Sequence, residues 1–261
     1  MASYLGVPSI QAPAAVQEAF EKIQNTPTIS SAFVFVGETA FPLNGNRADV
    51  RSRETNLGRV AADSTLWFTQ REYPELSIDV ALKNGGGIRD TITGPKIIRL
   101  TLGAALAFNN RLAVLQMDGE QLLATMENSV SRVPSLDGRF PQIAGMTIEY
   151  DATRPGLQGQ ARLSQPSRIK SLVVTRPNGT TETLVTDFVA TSDLASRTFV
   201  MATNDFLSTG GDGYASLAAA TKLRTTDIGE QLILEQYIQD GLGGVVNETD
   251  PSATPRVIRL Q

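Results

Sequence analysis

One glycine-rich segment, residues 203–214, constrains the fold more than any other part of this chain. The apolar run Phe199–Ala202 predicts a buried strand that leads directly into it. The segment then places an aromatic ring, Phe206, and a carboxylate, Asp212, around a pair of glycines. Glycine allows tight turns and a close approach of backbone to a ligand. We therefore expect a strand that ends in a turn able to hold a planar ring and a hydroxylated neighbour.

A second glycine-rich segment, Asn84–Arg89, has complementary chemistry. It follows a predicted strand and places three consecutive glycines before an arginine, which suits a phosphate or ribose oxygen. It lacks the G-x-G-x-x-G spacing, the Walker lysine and the opening helix of a dinucleotide or P-loop site. Together the two segments indicate a nucleotide site of another kind.

Composition excludes several classes of function. The chain has 261 residues, 41% of them hydrophobic, which is enough for one large core or two modest ones. Its net charge of −4 argues against nucleic acid as a partner, because nonspecific binding needs a broad basic surface. No apolar run approaches the roughly 20 residues of a membrane span, and Met1–Gly6 has no signal-peptide pattern. We therefore expect a soluble globular domain that is not a membrane protein.

The chain contains no histidine and no cysteine. Metal-assisted hydrolysis usually depends on imidazole or thiolate ligands, and no group of carboxylates here has convincing metal-site spacing. We therefore predict no metal site, no cofactor and no catalytic residue in this chain.

Hydrophobic periodicity predicts a mixture of helices and strands without βα repeats, which indicates an α+β fold. The predicted helices are Ala14–Gln24, Asn56–Phe68, one capped by Asp118 with Gln121 in the capping-box position, one around Tyr214–Ala220, and Asp227–Asp240. The predicted strands are Ala32–Val36, Ile78–Leu82, Leu112–Met117, Met146–Tyr150, Ser171–Arg176, Thr183–Phe188, Phe199–Ala202 and Arg256–Leu260.

Two further segments, Arg53–Gly58 and Phe140–Gly145, occur in order with the two glycine-rich ones. The four together resemble the C-terminal domain of the 5'-nucleotidase family, from about Ala32 to Leu260. The resemblance implies a four-layer α/β/β/α sandwich with mixed sheets. It also implies two parts: an N-terminal segment with a linker helix at 1–31, and a nucleotide-binding domain at 32–261.

The resemblance also assigns roles to individual side chains. It implies that Phe206 and Phe108 stack on a nucleobase and that Asp212 holds the ribose hydroxyls. From residue type alone, phenylalanine is more often a core residue and Asp212 more often an ordinary turn aspartate; the match to the family's segments favours the binding roles. The residues expected to bind substrate are Arg53, Asn84, Gly86, Gly87, Arg89, Phe108, Asn110, Phe206, Gly211 and Asp212.

Full-length members of the resembled family carry a preceding metallophosphoesterase domain with two divalent metal ions. The resemblance therefore implies that this chain binds what its partner domain cleaves, in a protein of the periplasm or cell exterior. Two alternatives remain open. One is a free-standing nucleotide-binding or interaction module; the other is the substrate domain of a UDP-sugar, cyclic-nucleotide or thiosulfate-linked hydrolase, although the two phenylalanines favour a base over the sulfur branch.

Overall fold

The structure, a computed structural model, describes residues 14–24 and 27–260. Thirteen strands and nine α-helices are assigned within these residues. The strands are β1 (Phe35–Thr39), β2 (Val80–Asn84), β3 (Lys96–Ile98), β4 (Arg111–Asp118), β5 (Pro141–Ala144), β6 (Met146–Tyr150), β7 (Ile169–Thr175), β8 (Thr181–Thr186), β9 (Val189–Ala190), β10 (Thr198–Asn204), β11 (Thr221–Gly229), β12 (Val245–Val246) and β13 (Val257–Arg259). The helices are α1 (Ala14–Gln24), α2 (Pro27–Ala32), α3 (Arg47–Val50), α4 (Asn56–Glu72), α5 (Arg99–Ala105), α6 (Gly119–Val130), α7 (Asp205–Ser208), α8 (Ala215–Ala219) and α9 (Glu230–Gln236).

The strands form three sheets that combine parallel and antiparallel pairs. The central sheet has the order β11-β4-β10-β2-β5, the second sheet β13-β6-β7-β8-β9, and a small third sheet β12-β1-β3. The pairs β2–β10, β6–β13 and β1–β12 are parallel, and the other pairs are antiparallel. The predicted α+β class with mixed sheets is confirmed.

Helices cover both faces of the central sheet. Helix α4 packs on one face, mainly against β5 and β2, while α6 contacts the central sheet and also β7 of the second sheet. Thr55 caps α4 by accepting a hydrogen bond from the Gly58 amide, and Asp118 caps α6 in the predicted capping box with Gln121. Helix α6 is buried on all sides because it lies in the largest hydrophobic core, between the two five-stranded sheets.

Strand directions in the central sheet bring four loops to one edge. Because β2 and β10 are parallel, both end there, at Asn84 and Asn204. Strand β4 is antiparallel to β10 and pairs Leu112 with Asn204, so the turn before β4 reaches the same edge. Strand β5 is antiparallel to β2 and pairs Pro141 with Asn84, which brings the loop before β5 there as well. Segments far apart in sequence are therefore neighbours at this edge.

Two predicted elements need correction. The run predicted as a strand at Ala32–Val36 begins on the last residue of α2, and the strand itself begins only at Phe35. The helix predicted at Asp227–Asp240 begins at Glu230, because Asp227–Gly229 complete strand β11 on the edge of the central sheet.

The N-terminal helix Ala14–Gln24 forms where it was predicted. Val16 on it is 54% exposed, whereas the Phe20 and Ile23 side chains and the segment before Ala14 lie outside the described structure. Within residues 14–24 and 27–260, no helix combines the length and apolar character needed to cross a membrane.

Candidate functional site

The four loops at the edge of the central sheet enclose a cleft of about 480 Å³. The loops that supply it follow β2 and β10 and precede β4 and β5, with one further residue after α3. The residues that line it are Arg51, Asn84, Gly86, Gly87, Arg89, Phe108, Asn110, Leu136, Asp137, Gly138, Phe206 and Asp212.

Two aromatic rings stand in this cleft with much of their surface free. Phe108 is 61% exposed and Phe206 is 44% exposed, so neither is a core phenylalanine. Large exposed aromatic side chains in a concave site are suited to stacking on a planar ligand. The guanidinium of Arg89 lies 5.3 Å from the centre of the Phe108 ring, within the range of a cation–π contact.

Gly211 does not line the cleft but supports one of its rings. A Cβ atom at this position would lie 2.6 Å from three atoms of the Phe206 ring, too close for the ring to stay in place. The glycine therefore lets the ring lie directly against the turn that carries Asp212.

We expect Gly211→Ala to displace the Phe206 ring and to weaken binding of a planar base by about 1–3 kcal/mol, the usual worth of one stacking contact. Gly103→Ala is a suitable control, since a Cβ there has no atom outside its own helix closer than 3.9 Å. Calorimetric titration with adenosine 5'-monophosphate (AMP) measures the effect. Equal affinity in the Gly211 and Gly103 variants would show that the ring position does not matter.

Asp212 and Asn84 form a polar pair on the floor of the cleft. The Asn84 Nδ2 donates to Asp212 Oδ2 at 2.6 Å, and the buried Asn84 Oδ1 has no protein partner. Burial raises the pKa of the Asp212 carboxyl, while the hydrogen bond from Asn84 opposes that shift. Gly138 keeps the carboxylate accessible, since a Cβ there would lie 3.2 Å from Asp212 Oδ2. The Asp212 carboxylate can therefore offer acceptor oxygens to a ligand that carries hydroxyl or amino groups.

Two guanidinium groups bring positive charge to the cleft. Arg51 donates to the Leu136 carbonyl at 3.2 Å, but its Nε is buried without a partner. Burial lowers the pKa of Arg51 and the charges of Arg47 and Arg89 lower it further, while Asp212 and Asp137 oppose the shift. Arg89 donates to the Gly86 carbonyl at 3.2 Å. Guanidinium groups suit an anionic group such as phosphate, while Asp137 and Asp212 in the same lining offset part of their charge.

The structure brings together eight of the ten residues predicted to bind substrate: Asn84, Gly86, Gly87, Arg89, Phe108, Asn110, Phe206 and Asp212. Gly211 lies behind Phe206, as described above. Arg53 is absent from the cleft lining and instead pairs with Asp49 at 3.1 Å and Asp250 at 3.0 Å.

Sequence analysis missed four lining residues, Arg51 and Leu136–Gly138. The loop before β5 gave a usable signal, because it precedes Phe140–Gly145, one of the four segments that carried the resemblance. No sequence pattern marked Arg51, because arginine also occurs at position 53 and nothing in the local sequence distinguishes the two. No group of three or more potential metal-ligating side chains occurs among the residues that the structure describes.

A family model described as "5'-nucleotidase, C-terminal domain" matches residues 35–219. The chain belongs to this family.

Three relatives illustrate the similarity. The Trifunctional nucleotide phosphoesterase protein YfkN of Bacillus subtilis (strain 168) is 35% identical over 189 residues, covering 71% of this chain and 11% of that protein. The snake venom 5'-nucleotidase of Crotalus adamanteus is 30% identical over 212 residues, covering 78% of this chain and 33% of that protein. The crystal structure of a 5'-nucleotidase precursor from Thermus thermophilus aligns with a TM-score of 0.74 at 28% identity, covering 95% of this chain and 43% of that one. The chain thus spans less than half the length of each.

Proposed function

We propose that this chain is the nucleotide-binding domain of a 5'-nucleotidase, with the base between Phe108 and Phe206, the ribose on Asp212, and the phosphate near Arg51 and Arg89. The observation that carries the proposal is the pair of exposed rings in one cleft that Arg51 and Arg89 also line. Stacking tolerates different bases, so the site favours nucleotides as a class over one particular base. Asn84 and Asn110 also line the cleft, and we propose that their amides meet the edge of that base.

Arg51 and Arg53 allow a direct test of the phosphate position. Arg51→Met is expected to weaken AMP binding by about 1.5–3 kcal/mol, the worth of a hydrogen bond to a charged group, and to affect adenosine less. Arg53→Met is the matched control, because Arg53 is paired with Asp49 and Asp250 away from the cleft. Calorimetric titration of both variants with both ligands gives the comparison. A larger AMP defect in the Arg53 variant would place the phosphate elsewhere.

The chain alone is expected not to hydrolyse phosphate esters. It contains no histidine or cysteine, and the full-length family resemblance assigns the two divalent metal ions to a separate, preceding metallophosphoesterase domain. We propose such a domain as the catalytic partner and 32–261 as the binding domain, joined through the segment 1–31. Purified protein incubated with AMP, ADP or UDP-glucose and added Mn²⁺ or Zn²⁺ should release no phosphate. Activity that tracks the protein through successive purification steps would overturn this assignment.

One of the relatives is a snake venom enzyme and another a precursor. By the same resemblance we propose that the full-length protein acts in the periplasm or outside the cell. A hydrolase for UDP-sugars or cyclic nucleotides would use the same base and ribose contacts, so all of these ligands should compete with AMP. The substrate classes are instead compared by their affinities in calorimetric titration.

A further inference from the structure

An ion pair lies buried directly behind the cleft. The Lys83 side chain is 2% exposed and that of Glu230 is 4% exposed, and the Lys83 Nζ contacts Glu230 Oε1. The same oxygen accepts a hydrogen bond from Asn204 Nδ2 at 2.9 Å. None of these three residues lines the cleft. We call them the Lys83–Glu230–Asn204 network. A buried ion pair gains little stability, because the cost of removing both charges from water offsets their attraction. The network therefore matters more for the groups that it holds in place.

The first connection leads to Phe206. Asn204 uses its amide nitrogen for Glu230 and its Oδ1 to accept from the Leu207 amide at 2.9 Å, which caps α7. Helix α7 is a single turn, and Phe206 is its second residue. Because both ends of the Asn204 amide are engaged, Glu230 fixes the orientation of the group that starts this turn.

The second connection leads to the Phe108 turn. The Glu230 amide donates to the Asn110 carbonyl at 2.9 Å. The next residue, Gln231, donates through its side-chain Nε2 to the Leu106 carbonyl at 3.0 Å and through its backbone N–H to Asn109 Oδ1 at 3.1 Å. The start of α9 thus holds the turn on both sides of Phe108.

We propose that the Lys83–Glu230–Asn204 network is the positioning centre of the cleft, which sets the separation of Phe108 and Phe206. The three are positioning residues in this proposal, since none of them lines the cleft and they act through the turns that carry the rings. This inference rests on the proposed function. A network with a purely structural role would change stability without changing how much Phe206 contributes to binding.

A double-mutant cycle separates the two roles. In the wild type, Phe206→Ala is expected to weaken AMP binding about 5- to 140-fold. Lys83→Met with Glu230→Met keeps similar volume but removes the acceptor for Asn204. In that background, the factor by which Phe206→Ala weakens AMP binding should be at most about half of the factor in the wild type. Lys83→Met with Glu230→Gln restores a neutral acceptor and should restore the full Phe206 effect.

Asn204→Ser tests the same link if the methionine variant does not fold. Serine still caps α7 but is too short to replace the amide donor to Glu230, and the ion pair stays intact. The Phe206 effect should again be reduced by about twofold or more. Asp63→Asn is the control: it disturbs the pair with Arg256, neither residue lines the cleft, and the Phe206 effect should be unchanged.

The inference would be overturned if Phe206→Ala weakened AMP binding by the same factor in the Asn204→Ser variant, in the methionine variant and in the wild type. The proposed function would then still stand. A wild-type protein that does not bind AMP would overturn both.

Discussion

Glu230→Ala lowers the free energy of unfolding by about 3–5 kcal/mol, the expected result of leaving one buried charge without its partner. The Lys83 ammonium is almost completely buried, and Glu230 is the carboxylate that contacts it. Asn204 also loses the acceptor for its amide nitrogen. Urea denaturation followed by circular dichroism measures the change.

The methionine pair, Lys83→Met with Glu230→Met, is the control for this stability prediction. It removes both charges at similar volume and should be clearly more stable than Glu230→Ala, because no unpaired charge remains. Glu230→Ala within about 1 kcal/mol of the wild type would mean that Lys83 finds water or another partner.

Phe108→Ala and Phe206→Ala are each expected to weaken AMP binding by about 1–3 kcal/mol. Phe108 is 61% exposed and Phe206 is 44% exposed, so their removal should change the free energy of unfolding much less than removal of a core phenylalanine. Phe41→Ala removes another exposed phenylalanine that does not line the cleft and should leave affinity unaltered. Calorimetric titration with AMP gives the comparison. Wild-type affinity in both ring variants would leave the proposed base site without support.

Much of the cleft could be predicted from the sequence because its residues follow or precede strands with clear patterns. The apolar run at Phe199–Ala202 and the glycines after Asn84 marked two strand ends. That these ends meet depends on the parallel pairing of β2 and β10, which no local pattern encodes. The family resemblance supplied that information.

The wrong helix start at Asp227 and the omission of Arg51 have a similar cause, because the sequence pattern carried too little information at both places. Strand β11 is polar at most positions and lies on the sheet edge, so neither alternation nor an apolar run marked it. Arg51 and Arg53 differ through tertiary contacts alone: Asp250, 197 positions along the chain, pairs with Arg53, while Arg51 reaches the Leu136 carbonyl. Residue type and spacing cannot distinguish two such arginines.

The crystal structure of this chain with AMP tests the central claim most directly. We predict the adenine ring between Phe108 and Phe206, ribose hydroxyls within hydrogen-bond distance of Asp212, and the phosphate beside Arg51 and Arg89. An empty cleft at saturating AMP, or AMP bound away from both rings, would contradict it.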